Sequence, residues 1–314
     1  MSDTSTSTST SSTAPARRPR TLLIGAVVLA AVVVGAVVGA MAWWPGGDSG
    51  AETESDTAFC WDTVPGHQKA DGQGPLSECG EALETAMTRK EPGASPSPGS
   101  RAFADVVTAY AEHTSEDPAR MPAELRPHMA RALVHHGDDV HTVLGAQEAR
   151  SGSRSGSSAT ADVSREDLVR FVRAVSGSAG PFRTLYGAQA DRAATSIGKL
   201  GREDLAETPE GSTDTARGVV DDNARVLATL TRIRAAALQQ DDDGAADETA
   251  LAENDEEHGK PRLTGLIEDR AKAVGLDEDA IHGSGTRCAL LIQDAGRAYE
   301  TEVRRTDAVL SPRS

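Results

Sequence analysis

The sequence predicts an all-α protein in which one N-terminal transmembrane helix is followed by an extracytoplasmic multi-helix domain. Residues 21–44 are uncharged and form an apolar run long enough to cross a bilayer as one helix. Beyond this run, apolar residues recur at three- and four-residue steps, and no apolar/polar alternation is long enough to indicate a strand. Aromatic residues make up 3% of the chain, so the core must be built mainly from aliphatic side chains, which favours packed helices.

Residues 1–20 form a Ser/Thr-rich tail that is too polar to fold, and we expect it to be disordered. Arg17, Arg18 and Arg20 directly precede the apolar run, whereas acidic residues follow it. The positive-inside rule therefore places the N-terminus in the cytoplasm. Everything from about residue 45 onward is predicted to lie outside the cell membrane.

The apolar run is predicted to be a retained anchor. The alternative is a cleaved signal peptide, because Ala40-Met41-Ala42 has the small-x-small pattern of a cleavage site. The run is longer than a signal h-region, however, and it ends in Trp43-Trp44, a residue type found where a helix meets the lipid headgroups. Gly35 and Gly39 have the GxxxG spacing, which permits close approach of two such helices but often arises from composition alone.

Residues 45–100 are predicted to be a stalk with one short helix and a disulfide. Gly, Pro, Asp and Ser recur up to about residue 75, and residues 94–100 form a linker. Between them, helical spacing relates Leu76, Cys79, Leu83 and Met87. In an oxidising compartment Cys60 and Cys79 are the nearest pair, and Cys288 is then a buried free thiol. A bridge from Cys288 to either of the others is the open alternative.

Residues 101–306 are predicted to form the all-α extracytoplasmic domain. Ser164 with Asp167 three residues later indicates a helix start. Successive apolar stripes begin at Phe103, Met129, Leu168, Phe182, Val219, Leu263 and Leu290. The stripe that contains Val226, Leu227, Leu230 and Ile233 is the most regular. Between the stripes, residues 150–160 form a flexible insert and residues 241–257 a solvated acidic loop, and residues 307–314 form a tail.

Four segments of the main domain carry a resemblance to a known family: residues 121–130 (MPAELRPHMA), 138–141 (DDVH), 163–168 (VSREDL) and 182–189 (FRTLYGAQ). They resemble a helical domain of unknown function in actinomycete proteins, over roughly residues 103–240. Members of that family often carry an N-terminal half similar to the WXG100 proteins of type VII secretion, where this chain has its apolar run instead.

The resemblance implies an all-α fold and envelope or secretion-associated protein partners. It supplies no active site, because the family has no established catalytic residues. Some members are labelled tetratricopeptide-repeat-like. The 34-residue period that such repeats require is not present in this sequence.

Histidines and carboxylates crowd the segment from His128 to His141, which also holds His135, His136, Asp138 and Asp139. Imidazole with carboxylate is the ligand chemistry of zinc and copper sites. Two histidines on one helix share a metal when they are four residues apart, whereas His128 and His135 are seven apart. We therefore expect a polar helix end with His141 hydrogen-bonded near the core and with His135 and His136 largely solvated.

Two other candidate sites fail on spacing. In residues 241–257, an EF-hand loop with Gly244 at its sixth position would need Gln239 as first ligand, so the calcium pattern is not met. Cys288 and His282 could form a nucleophile and its base. The sequence between them contains Gly283 and Gly285 and gives no reason to expect contact.

The function predicted from the sequence is that of a single-pass, membrane-anchored extracytoplasmic helical binding or assembly module of a bacterial cell envelope. Its net charge of −16 disfavours nucleic acid as a partner. We predict contact with the lipid bilayer through residues 21–44, no enzymatic activity, no cofactor, and no catalytic, cofactor-binding or metal-ligating residue. The alternative is a metal-dependent sensor or enzyme that uses the segment from His128 to His141.

Overall fold

A computed structural model describes residues 49–65, 74–90, 97–115, 117–118, 121–146, 163–207, 214–239 and 248–311. Helices account for 81% of these residues and none of them is in a strand, which confirms the all-α prediction for this part of the chain. Within it, no helix combines the length and the apolar character needed to span a membrane. The predicted tail 1–20 and transmembrane helix 21–44 lie outside the described residues.

The described part of the chain contains helices throughout its length. They are α1 (Ser49–Thr63), α2 (Leu76–Thr88), α3 (Pro98–His113), α4 (Arg126–His135), α5 (Gly137–Gly145), α6 (Arg165–Val175), α7 (Ala179–Ile197), α8 (Arg202–Ala206), α9 (Thr215–Leu238), α10 (Glu248–His258), α11 (Lys260–Ala273), α12 (Glu278–His282) and α13 (Arg287–Leu310).

Helix α9 organises the core. It packs against α5, α6, α7, α10 and α11, and its most extensive contact is with α13, which has the same length of 24 residues. Val226, Leu227, Leu230 and Ile233 are each 0% exposed, which confirms the apolar stripe predicted there. The surrounding helices are therefore held by one continuous aliphatic core.

Residues 49–63 and 76–88 do not form a separate stalk but two helices that share this core. The predicted disulfide between Cys60 and Cys79 is confirmed, and it joins α1 to α2. Leu83 and Met87 are 0% exposed and belong to the same core cluster as the main domain. In a separate stalk the apolar face of α2 would be exposed to solvent, whereas in the structure it is buried against α3 and α4.

Helix α3 begins directly against the end of α2. The Gly99 N–H donates to the Arg89 carbonyl oxygen at 3.2 Å. A Cβ at position 99 would lie 2.5 Å from that oxygen and 2.6 Å from the Met87 carbonyl oxygen. Glycine is therefore needed at this close approach of two backbones.

The acidic segment 241–257 is in part helical, contrary to the predicted loop. Helix α10 begins at Glu248, while residues 241–247 lie outside the described part of the chain. The helix is docked by polar contacts, because Asn254 Nδ2 donates to the Thr231 carbonyl at 3.3 Å and the Tyr186 hydroxyl donates to the His258 carbonyl at 2.8 Å. The side chains of Glu253, Asp255, Glu256 and Glu257 are exposed.

The prediction that residues 307–314 form a tail is wrong at its first residues, because these belong to a helix. Helix α13 continues to Leu310, and residues 312–314 are outside the described ranges. Asp307 pairs with Arg232 of α9, and Arg173 of α6 donates to the Leu310 carbonyl at 3.3 Å. These polar contacts hold the last turn of α13 on the domain.

Candidate functional site

The histidines of the segment from His128 to His141 bind to different parts of the fold. His128 Nδ1 lies 2.8 Å from Glu84 Oε2 on α2, and Arg131 binds the same carboxylate. His136 Nε2 donates to the Met87 carbonyl oxygen at 2.7 Å. Two of the four histidines therefore hold α4 against α2.

His136 is 7% exposed, and its ring stacks on Phe103 with the ring centroids 4.3 Å apart. The expectation that it is largely solvated is therefore wrong. His135 is exposed and its ring meets the His136 ring edge-on, with the ring centroids 5.2 Å apart. Burial is the largest cause that lowers the pKa of His135, followed by the neighbouring charge of His136. Within the described ranges, no three His, Cys, Asp or Glu side chains gather in a way that could hold a metal ion.

His141 faces α7, where a buried glutamine fixes its tautomer. Gln189 is 0% exposed, and its Nε2 donates to the Gly137 carbonyl oxygen at 3.0 Å. The amide oxygen of Gln189 must then be the atom that lies 3.0 Å from His141 Nδ1. Because that oxygen only accepts, Nδ1 carries the proton, and the neutral ring has its lone pair on Nε2.

Burial lowers the pKa of His141 and outweighs the hydrogen bond to Gln189, which raises it. The charges of Asp222 and Asp138 also raise the pKa, while Arg192 lowers it. The ring is therefore neutral at pH 7. Its Nε2 has no hydrogen-bond partner among the described residues, so this nitrogen is available to accept a hydrogen bond from a ligand.

His141 lines an open polar cavity of about 620 Å³ between α5 and α7, which we name the α5–α7 cavity. Helix α5 contributes Asp138, His141 and Thr142. Helix α7 and the turn after it contribute Asp191, Arg192, Thr195, Ser196 and Lys199, together with Ala188. These positions recur at three- and four-residue steps, so they form one face of each helix.

One cation of the α5–α7 cavity is fixed in place. Arg192 Nε donates to Asp138 Oδ1 at 2.8 Å. The guanidinium packs over Gly137 so closely that a Cβ there would lie 2.4 Å from Arg192 Nη1. By contrast, within the described residues no ion pair or side-chain hydrogen bond engages the Lys199 ammonium or the Asp191 carboxylate.

A second cavity, of about 370 Å³, lies between α9 and α13. It is lined by arginines and carboxylates that bind one another, such as Arg217 with Asp294 at 3.1 Å. At its base Glu302 is 3% exposed and pairs with Arg165 of α6. Burial raises the pKa of Glu302 although the charge of Arg165 acts in the opposite direction. These pairs tie three helices together, and we interpret them as structural.

The remaining candidate pair does not meet. Cys288 is buried as a free thiol, and burial raises its pKa. His282 Nε2 lies 3.2 Å from Glu278 Oε2 on its own helix. A thiol whose pKa is raised is a poor nucleophile, so this arrangement does not support cysteine chemistry.

The sequence pointed to only one side of the α5–α7 cavity. Asp138 and His141 stood out because histidine and carboxylate cluster there, whereas Asp191, Arg192 and Lys199 were not singled out. Their three- to four-residue spacing was the available signal. It becomes informative only once α5 is known to lie across from these residues.

A scan against protein-family models, a search of curated proteins and a search of solved structures each found no match.

Proposed function

We propose that this chain is a single-pass membrane protein whose extracytoplasmic helical domain is a binding or assembly module of a bacterial cell envelope. The observation that carries the proposal is the buried bond between Cys60 and Cys79, which ties α1 to the domain core. Disulfides of this kind persist in oxidising compartments. The uncharged run at residues 21–44, with three arginines before it, supplies the anchor in this proposal.

The proposed role is binding rather than catalysis. The α5–α7 cavity offers acidic, basic and hydroxyl-bearing side chains on two facing helices. Such a set of polar groups is suited to holding a ligand. The partners that we propose are the bilayer, through residues 21–44, and envelope or secretion-associated proteins. The acidic surface argues against nucleic acid.

The metal-dependent alternative gains no support from the histidine contacts. A site built from His128, His135 and His141 needs these rings to face one point. His128 is bound to Glu84 on α2, while His141 is bound to Gln189 on α7. A chelator should therefore leave the thermal unfolding of the protein unchanged.

The topology is tested by a reporter enzyme fused after Ser314 that becomes active only when exported. We expect activity from this fusion and none from a matched fusion lacking residues 21–44. Activity of a reporter that works only in the cytoplasm would contradict the placement of the domain. Crosslinking of intact cells, followed by purification of the chain, identifies its protein neighbours.

A further inference from the structure

We propose that the α5–α7 cavity binds a short peptide of about three residues whose ammonium and carboxylate ends are both free. The inference rests on the proposed function in that it takes the domain to be a binding module, and it names the ligand of that module. It is carried by the separated charges of Asp191 and Lys199, which no described residue pairs, and by the fixed tautomer of His141.

The cavity carries one available charge of each sign at separate places. Asp191 and Lys199 both line it, and neither is paired within the described part of the chain. Eight residues separate Asp191 on α7 from Lys199 in the turn that follows α7, where the Lys199 N–H donates to the Ser196 carbonyl oxygen at 3.2 Å. This turn continues the helical path, so the two positions are about 12 Å apart along the helix axis. An extended peptide covers about 3.3–3.6 Å per residue, so three residues match this separation.

The groups between the two charges suit a peptide backbone. His141 Nε2 is a lone-pair acceptor for a ligand N–H, since Gln189 fixes the proton on Nδ1. Arg192, oriented by Asp138, presents further N–H groups to a ligand carbonyl. The hydroxyls of Thr142 and Ser196 donate to the carbonyl oxygens of Asp138 and Ala193, so towards a ligand these two act as acceptors. The Thr195 hydroxyl on the same wall can accept or donate.

Other small ligands leave part of the site unmatched. A simple anion would bind Lys199 but would leave Asp191 and the His141 acceptor without a partner. A free amino acid carries its two charges too close together to reach both ends. A tripeptide with free ends is matched by both charges and by the acceptor between them, and the cavity volume of about 620 Å³ accommodates it.

The test is titration calorimetry on the full chain in detergent micelles with trialanine, N-acetyl-trialanine and trialanine amide. We expect trialanine to bind, and each capped peptide to bind about tenfold or more weakly, because each loses one charge-assisted contact. Trialanine that does not bind to a chain with native helical circular dichroism overturns the proposal, as does equal binding of all three peptides.

Variants assign each end of the peptide to its residue. In Lys199→Met, trialanine and its amide should bind equally, while N-acetyl-trialanine stays weaker. In Asp191→Asn, trialanine and its acetylated form should bind equally. Lys272→Met is the matched control, because Lys272 is 3.5 Å from Glu278 outside the cavity, and it should keep the wild-type order. If this control loses the preference for a free carboxylate, the assignment to Lys199 is wrong.

Failure here is distinguishable from failure of the proposed function. An exported chain that captures an envelope protein but shows no response to trialanine leaves the module standing and removes the peptide ligand. A chain that binds trialanine but is not exported keeps the peptide ligand and contradicts the extracytoplasmic placement of the module.

Discussion

Two neighbouring histidines of α4 have unlike surroundings. His136 donates to the Met87 carbonyl and stacks on Phe103, whereas His135 has one edge towards solvent and the other against the His136 ring. Sequence reasoning treated them alike, because both are polar residues at a helix end. What separates them is α2, which supplies the carbonyl acceptor from 49 residues earlier in the chain.

We expect His136→Ala to lower the free energy of unfolding by about 1–3 kcal/mol, because it leaves a buried carbonyl without its donor. His135→Ala should change it by about 0.5 kcal/mol or less. Leu230→Ala, which opens a cavity at the centre of α9, should cost about 2–5 kcal/mol. Urea unfolding of the three variants gives these values, and equal losses for the two histidines would contradict the assigned contacts.

Two glycines should respond in opposite directions to alanine. At Gly99 the added Cβ meets two backbone oxygens at 2.5 and 2.6 Å, so α2 and α3 must separate. At Gly187, within α7, nothing lies within 4 Å of the added atom. We expect Gly99→Ala to destabilise and Gly187→Ala to stabilise by about 0.5–1 kcal/mol. Thermal unfolding compares them, and a stabilising Gly99→Ala would disprove the close approach.

At the scale of elements, periodicity predicted helices well where a stripe is apolar. Helix α2, the stripe of α9 and the N-cap at Ser164, whose side chain accepts from the Asp167 N–H at 3.0 Å, were all readable from the sequence. Helix α10 was missed because polar groups dock it. The stalk was misassigned because periodicity shows that a face is apolar but not which helix covers it.

Removing α1 and α2 should damage the domain more than removing their bond. The double variant Cys60→Ser and Cys79→Ser should lose about 3 kcal/mol of unfolding free energy, which is the chain-entropy contribution of a bond that closes a loop of this size. A fragment that starts at Arg101 also exposes the faces of α3 and α4 that α2 covers. We expect its melting temperature to lie below that of the double variant. Equal melting temperatures would mean that α2 contributes little beyond the bond.

At the scale of the whole molecule, three histidines whose pKa is lowered should make stability depend on pH. Burial is the largest cause that lowers the pKa of His135, His141 and His258. The folded chain then binds fewer protons than the unfolded chain once the pH falls below the unfolded value of about 6.5. Their contribution to stability is therefore complete above this pH and is lost as the pH falls towards the folded values.

We expect the melting temperature to fall between about pH 7.5 and about pH 5.5, a window above most of the carboxylate titrations. His141→Gln should reduce this fall. The charges of Asp138 and Asp222 raise the pKa of His141 and so oppose the effect of burial, while the charge of Arg192 lowers this pKa further. Burial raises the pKa of Glu302 and Asp221, so these two groups act in the opposite direction at lower pH. A melting temperature that rises on acidification within this window would contradict the prediction.

The position of the free thiol has a consequence for how the chain matures. Cys288 lies on α13, the last of the described helices, while the bonded pair lies on α1 and α2. If export proceeds from the anchor towards the C-terminus, the pair meets oxidants before its competitor emerges. Cys288 is then covered by its helix neighbours, and a raised pKa leaves little thiolate to attack the finished bond. On the proposed topology, correct pairing would follow from the order of export, without a need for later reshuffling.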